Sequence, residues 1–174
     1  MVEEQKFDFL QMVPKVHRVT KLASDQLTIW DISKESLKER AFSIPKHGPF
    51  ILVVSTPLCS FCNSAAKYIS SDEELKIIFS EYSYWLTEPR GQLYTEHFER
   101  WSLRYPKLPA GLMNVKPPSP VLRSNIGTPA FYFFLDGDFV QSFVGWPREG
   151  EPIALDSALA NIGLNRFRKP ISKT

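Results

Sequence analysis

Phe50-Ile51-Leu52-Val53-Val54-Ser55-Thr56-Pro57-Leu58-Cys59-Ser60-Phe61-Cys62 is the stretch on which the fold turns. Its first five residues form a continuous apolar run of strand length, the pattern of a central strand buried on both faces. Ser55 to Leu58 reads as the turn out of that strand. Cys59 then stands where a helix through Ala65, Ala66 and Ile69 begins. The chain has 174 residues and only these two cysteines, three apart. A disulfide scaffold is excluded, since such scaffolds need several bridges at wider spacing.

A Cys-x-x-Cys on the first turn of a helix suits thiol–disulfide exchange for a physical reason. The first sulfur faces the free N–H groups and the positive end of the helix dipole, which stabilise a thiolate. The second, one turn on, attacks the mixed disulfide formed on the first and releases the substrate. Cys59 is the candidate attacking thiol and Cys62 the candidate resolving thiol, with Ser60 and Phe61 between them as candidate substrate contacts. Three other readings compete. Zinc needs two more ligands, yet His17, His47 and His97 are far apart in sequence, so no metal is assigned. A buried structural pair is the second, and a Cys-His hydrolase, which leaves one cysteine unexplained, the third.

Working outward, Leu27 to Ile32 alternates as a strand, and Ser33 is positioned to cap a short helix through Leu37, Ala41 and Phe42. The cysteine helix is expected to restart at Ser71, where Ser71-Asp72-Glu73-Glu74 has capping-box form, and to continue through Leu75, Ile78 and Phe79. Tyr82 to Leu86 reads as a strand. Tyr94, Phe98, Trp101 and Tyr105 recur at helical spacing and are expected to form a packing face that keeps His97 partly buried. Pro106, Pro109, Pro117, Pro118 and Pro120 mark a loop. Ala130–Leu135 and Phe139–Val144 flank Asp136-Gly137, a hairpin signal. A last helix starts near Pro152 and stops at Gly163. Trp146 is expected near the rim of the cysteine site, and the basic tail of Arg166, Arg168, Lys169 and Lys173 as a solvated terminus.

The stretch Ile126-Gly127-Thr128-Pro129-Ala130 through Gly137, closed by Val144-Gly145, resembles the second half of thioredoxin, and Phe50 to Cys62 resembles the strand leading to that superfamily's dithiol. The resemblance covers roughly residues 27 to 164. It implies an α/β thioredoxin-like fold, with a central mixed β-sheet flanked by helices. Residues 1–26 are then an N-terminal extension, about 87–125 an insertion between the dithiol helix and the cis-proline strand, and 165–174 a tail. It further implies that Pro129 is cis beside the cysteines, and that Thr128 and Pro129 offer backbone hydrogen bonds to a substrate strand. The chain departs from thioredoxin in having Leu58 in place of a tryptophan, Ser60-Phe61 in place of Gly-Pro, and Val53 in place of a buried aspartate. The Ser-Phe dipeptide is more like those of periplasmic isomerases and oxidases.

With 21 basic and 19 acidic residues the net charge is +2, which argues against electrostatic capture of nucleic acid. No apolar run approaches the ~20 residues of a transmembrane helix. Met1-Val-Glu-Glu-Gln has neither a basic nor an apolar leader region, which reads as cytoplasmic; the mature part of an envelope protein is the alternative. The expected function is thiol–disulfide exchange on protein cysteines with no cofactor, in either redox direction. Its partners are then protein thiol or disulfide substrates and a redox partner protein. The rivals are a non-catalytic protein-binding module and a metal-delivery protein.

Overall fold

The structure, a computed structural model, describes residues 15–17, 28–32, 36–88, 95–113 and 127–166. In chain order the elements are β1 (Lys15–His17), β2 (Thr28–Ile32), β3 (Ser36–Ala41), β4 (Pro49–Val54), α1 (Ser60–Ser71), α2 (Glu73–Tyr82), β5 (Ser83–Thr87), α3 (Thr95–Arg104), β6 (Ala110–Met113), β7 (Ala130–Leu135), β8 (Asp138–Val144) and α4 (Ala154–Asn161). One mixed sheet carries all eight strands in the order β1-β3-β2-β6-β5-β4-β7-β8. The apolar run of β4 pairs parallel with β5 and antiparallel with β7. Ile51 and Val53 on one face and Leu52 and Val54 on the other are all buried, as a continuous apolar strand requires.

Alternation along the strands divides the core in two. Ile51, Val53, Trp85, Phe131 and Phe133 point to the face holding Ala65, Ile69, Leu75, Phe79, Trp101, Leu155 and Leu159, so all four described helices pack there. Leu52, Val54, Tyr84, Leu86, Tyr132 and Phe134 point the other way, against Ile29, Phe42 and Met113. The β7–β8 hairpin turns at Asp136 (φ 52°) and Gly137 (φ 88°), positive values that the Asp-Gly pair accommodates.

Four expectations are corrected. Ser36–Ala41 is strand β3, antiparallel to β2, and not a helix. Its residues are good helix formers, but cross-strand contacts override that preference: Arg40 Nε meets Asp31 Oδ2 at 2.6 Å and Thr28 Oγ1 donates to Glu39 Oε1 at 3.1 Å. The proline-rich stretch contains strand β6, which starts directly after Pro109, a flank where proline costs no ladder bond. The cap of α2 is Asp72 and not Ser71, with Leu75 N donating to Asp72 Oδ1 at 2.9 Å. Arg166 is no solvated tail residue: its side chain is 7% exposed and bonds Glu151 at 2.5 Å, Asp156 at 3.0 Å and Asp72 at 2.9 Å. Ser33, Tyr94, Pro117, Pro118, Pro120 and the rest of the tail lie outside the described residues.

Candidate active site

The turn Ser55–Leu58 follows the C-terminal end of β4, held by Ser55 N donating to Leu86 O at 2.9 Å. Cys59 is the N-cap of α1, in extended conformation, with its amide on Thr56 O at 3.0 Å. Its Sγ takes the place of a capping oxygen and accepts from Cys62 N at 3.3 Å. A sulfur in this position lies against the amides that a helix leaves unsatisfied. Asn63 braces the turn, its Nδ2 donating to Pro57 O at 2.8 Å and Cys59 O at 3.0 Å.

The two thiols are not equivalent. Cys59 is partly exposed, whereas Cys62 is buried, and both are unbridged. Burial, followed by the contact with Cys59, pushes the Cys62 thiol far above its ordinary range. Ser60 is exposed and Phe61 is 44% exposed, so both residues between the cysteines face solvent.

Thr128 and Pro129 come to the same place from the far end of the chain. The Thr128–Pro129 bond is cis, and the Cys59 thiol donates to Thr128 O at 3.7 Å. Pro129 O accepts from Gly145 N at 2.7 Å, which pins the loop to the end of the β7–β8 hairpin. All six sequence-derived site residues thus lie on the first turn of α1, with Cys59 as its cap, and on the Thr128–Pro129 segment that meets it. Val53 is fully buried between Trp85 and Phe131 in the sheet register. Trp146, expected at the rim, is buried instead, packed on Phe131 and Tyr68 with ring centroids 5.6 and 5.8 Å away.

Sequence reasoning missed one part of the surroundings. His97, Arg100, Trp101 and Arg104 of α3, together with Pro57, Leu58 and Asn63, line a cavity of about 280 Å³ beside the cysteine turn. The tether is Tyr105 Oη, which donates to Asn63 O at 3.2 Å. The spacing i, i+3, i+7 of the three basic residues was the available signal. Among the described residues, no three His, Cys, Asp or Glu side chains cluster as metal ligands, and no helix is long and apolar enough to cross a membrane.

Comparison with solved structures settles the fold. A thioredoxin-like protein solved in its oxidised form superposes with a TM-score of 0.53 at 12% identity, over 72% of this chain and 88% of that one. The fold is thioredoxin-like. A putative electron transfer protein from Aquifex aeolicus matches at 0.52 and 10% identity, over 86% and 98% of the two chains. A secreted disulfide oxidoreductase from Mycobacterium tuberculosis matches at 0.48 and 20%, over 79% and 95%. No family model matches the chain, and no curated protein does. The likeness shows the fold alone; chemistry has to be argued from the cysteines themselves.

Proposed function

We propose that this chain performs thiol–disulfide exchange on protein cysteines through Cys59 and Cys62, within an exchange domain spanning residues 27–164. The observation that carries this reading is the asymmetry of the pair: one sulfur is accessible at a helix N-terminus, and the other is buried one turn behind it, its amide on the first sulfur at 3.3 Å. In the reducing direction, the Cys59 thiolate attacks a substrate disulfide. A Cys59–substrate S–S bond forms, the substrate S–S bond breaks and one substrate thiolate leaves. Cys62, having lost its proton to solvent, then attacks the Cys59 sulfur. The Cys59–Cys62 disulfide forms, the second substrate thiolate departs, and the substrate has gained two electrons. A partner dithiol, oxidised in turn, restores the starting state; the oxidising direction is the reverse sequence. Thr128 and Pro129 hold the incoming strand by backbone contact, and Ser60 and Phe61 provide the facing surface.

Burial of Cys62 also supports an ordered mechanism. A buried thiol with a raised pKa is a poor first nucleophile, so attack falls to Cys59. The test is a pair of variants offered a disulfide-containing protein substrate. Cys62→Ser accumulates a mixed disulfide visible by mass spectrometry, and Cys59→Ser accumulates none and does not turn over. Turnover by Cys59→Ser at the parental rate would refute the mechanism. The reduction potential of the couple reports direction: near about −270 mV for a reductase, about −120 to −180 mV for an oxidase or isomerase.

A further inference from the structure

We infer that the cavity between α3 and the Pro57–Leu58 turn is a subsite for an acidic side chain of the substrate protein, carried close to its reacting cysteine. This inference rests on the exchange reading above. His97, Arg100, Trp101 and Arg104 present one stripe of α3 to the cavity, and Pro57 and Leu58 form the opposite wall. Leu58, 64% exposed, is the residue directly before Cys59, so the cavity opens on the same turn that carries the attacking cysteine. Among the described residues the lining holds two guanidinium groups and a histidine, and no Asp or Glu. That local excess stands out in a chain whose charges nearly balance at +2, and a cleft lined by one sign of charge concentrates the opposite sign.

The site is rigid where it needs to be. Trp101 Nε1 is committed to Leu108 O at 3.2 Å, and Tyr105 Oη ties the end of α3 to Asn63 of α1 at 3.2 Å. The arginines themselves remain available: Arg100 meets Glu96 only at 3.4 Å, in a pair whose side chains are 75% and 61% exposed, so an incoming carboxylate displaces that contact readily. A volume of about 280 Å³ is just below the roughly 300–1,000 Å³ of small-molecule sites, and suits one side chain of a docked polypeptide.

The test uses two ten-residue peptides, each with one cysteine blocked as its mixed disulfide with 2-mercaptoethanol, flanked by Glu in one and by Lys in the other. Exchange rates with the reduced protein at low salt are divided by each peptide's rate with dithiothreitol, which removes differences in intrinsic reactivity. The normalised rate should favour the Glu peptide about tenfold and fall towards parity in ~0.5 M salt. Arg100→Glu/Arg104→Glu should reverse the preference, and Arg104→Gln, a milder change at an exposed position, should reduce it. Rates within twofold of each other, or a preference indifferent to charge reversal, would overturn the acidic subsite while leaving exchange intact. Failure of both peptides to react would overturn the exchange reading and this inference together.

Discussion

The Cys59 sulfur lies 3.7 Å from the carbonyl oxygen of Thr128, a residue 69 positions further along the chain. This contact joins the β4–α1 turn to the hairpin half of the fold and leaves Cys59 partly exposed while Cys62 is sealed behind it. Iodoacetamide applied to the native, reduced protein should therefore modify Cys59 alone. Cys62 should react only on unfolding, at a rate set by opening of the structure. Peptide mapping after timed alkylation checks this, and equal labelling of both thiols in native protein would contradict it.

The buried Cys62 thiol also predicts how stability varies with pH. Its folded pKa is raised far above the ordinary value of 9.0, and that of the Tyr84 phenol above 10.0, in both cases chiefly by burial. An acid whose folded pKa is raised holds its proton in the native state when the unfolded chain has already lost it. Its contribution is fully present below the unfolded pKa and declines as pH rises above it. Stability should be insensitive to these groups up to about pH 8 and fall above about pH 9, by at most ~1.4 kcal/mol per pH unit for each group. In urea titrations, Cys62→Ala should flatten the decline that begins near pH 9, and Tyr84→Phe the steeper part above pH 10.

Legibility in the sequence followed how local each determinant is. The five apolar residues of β4, the cysteines at the first turn of α1 and the Asp136-Gly137 turn are each specified within a few neighbouring residues, and the structure places them as read. Ser36–Ala41 reads as helix from its own composition, because its pairing with β2 is set by distant partners such as Thr28, Asp31 and Trp30. The basic stripe of α3 was visible as a spacing. Its significance depends on the Pro57–Leu58 turn packed across from it, and nothing in the sequence of either segment announces that meeting.

Gly127 offers a steric test of the Thr128–Pro129 loop. A Cβ built there lies 2.6 Å from Val144 Cγ1, and a β-branched side chain has little freedom to turn away. Gly127→Ala should cost about 1–2 kcal/mol of overpacking and, by displacing Thr128 from Cys59, should slow exchange as well. Val144→Ala opens the space, so the double variant should recover most of both losses. A double-mutant cycle read by urea denaturation and by exchange rate measures the coupling. Additive losses would show that the clash is not the cause.

Arg166 closes the fold in a way that truncation should expose. Its guanidinium gathers Asp72, Glu151 and Asp156, with Glu74 Oε2 3.9 Å from Nε, and so ties the segment after α4 to the α1–α2 corner and to α4. Arg166→Met leaves those carboxylates facing one another. Breaking a buried pair costs ~3–5 kcal/mol, and the partners' exposures of 15–42% reduce this to about 2–3 kcal/mol through solvent screening. Ending the chain at residue 165 should cost about as much. Asp72 separates charge from capping, because Oδ1 accepts from Leu75 N while Oδ2 meets Arg166. Asp72→Asn keeps an acceptor for the cap and should cost less than Asp72→Ala, which loses both roles. Denaturant midpoints in low and in molar salt decide the matter: the Arg166→Met deficit should shrink as salt screens the exposed carboxylates, and a deficit unchanged by salt would assign the residue a packing role alone.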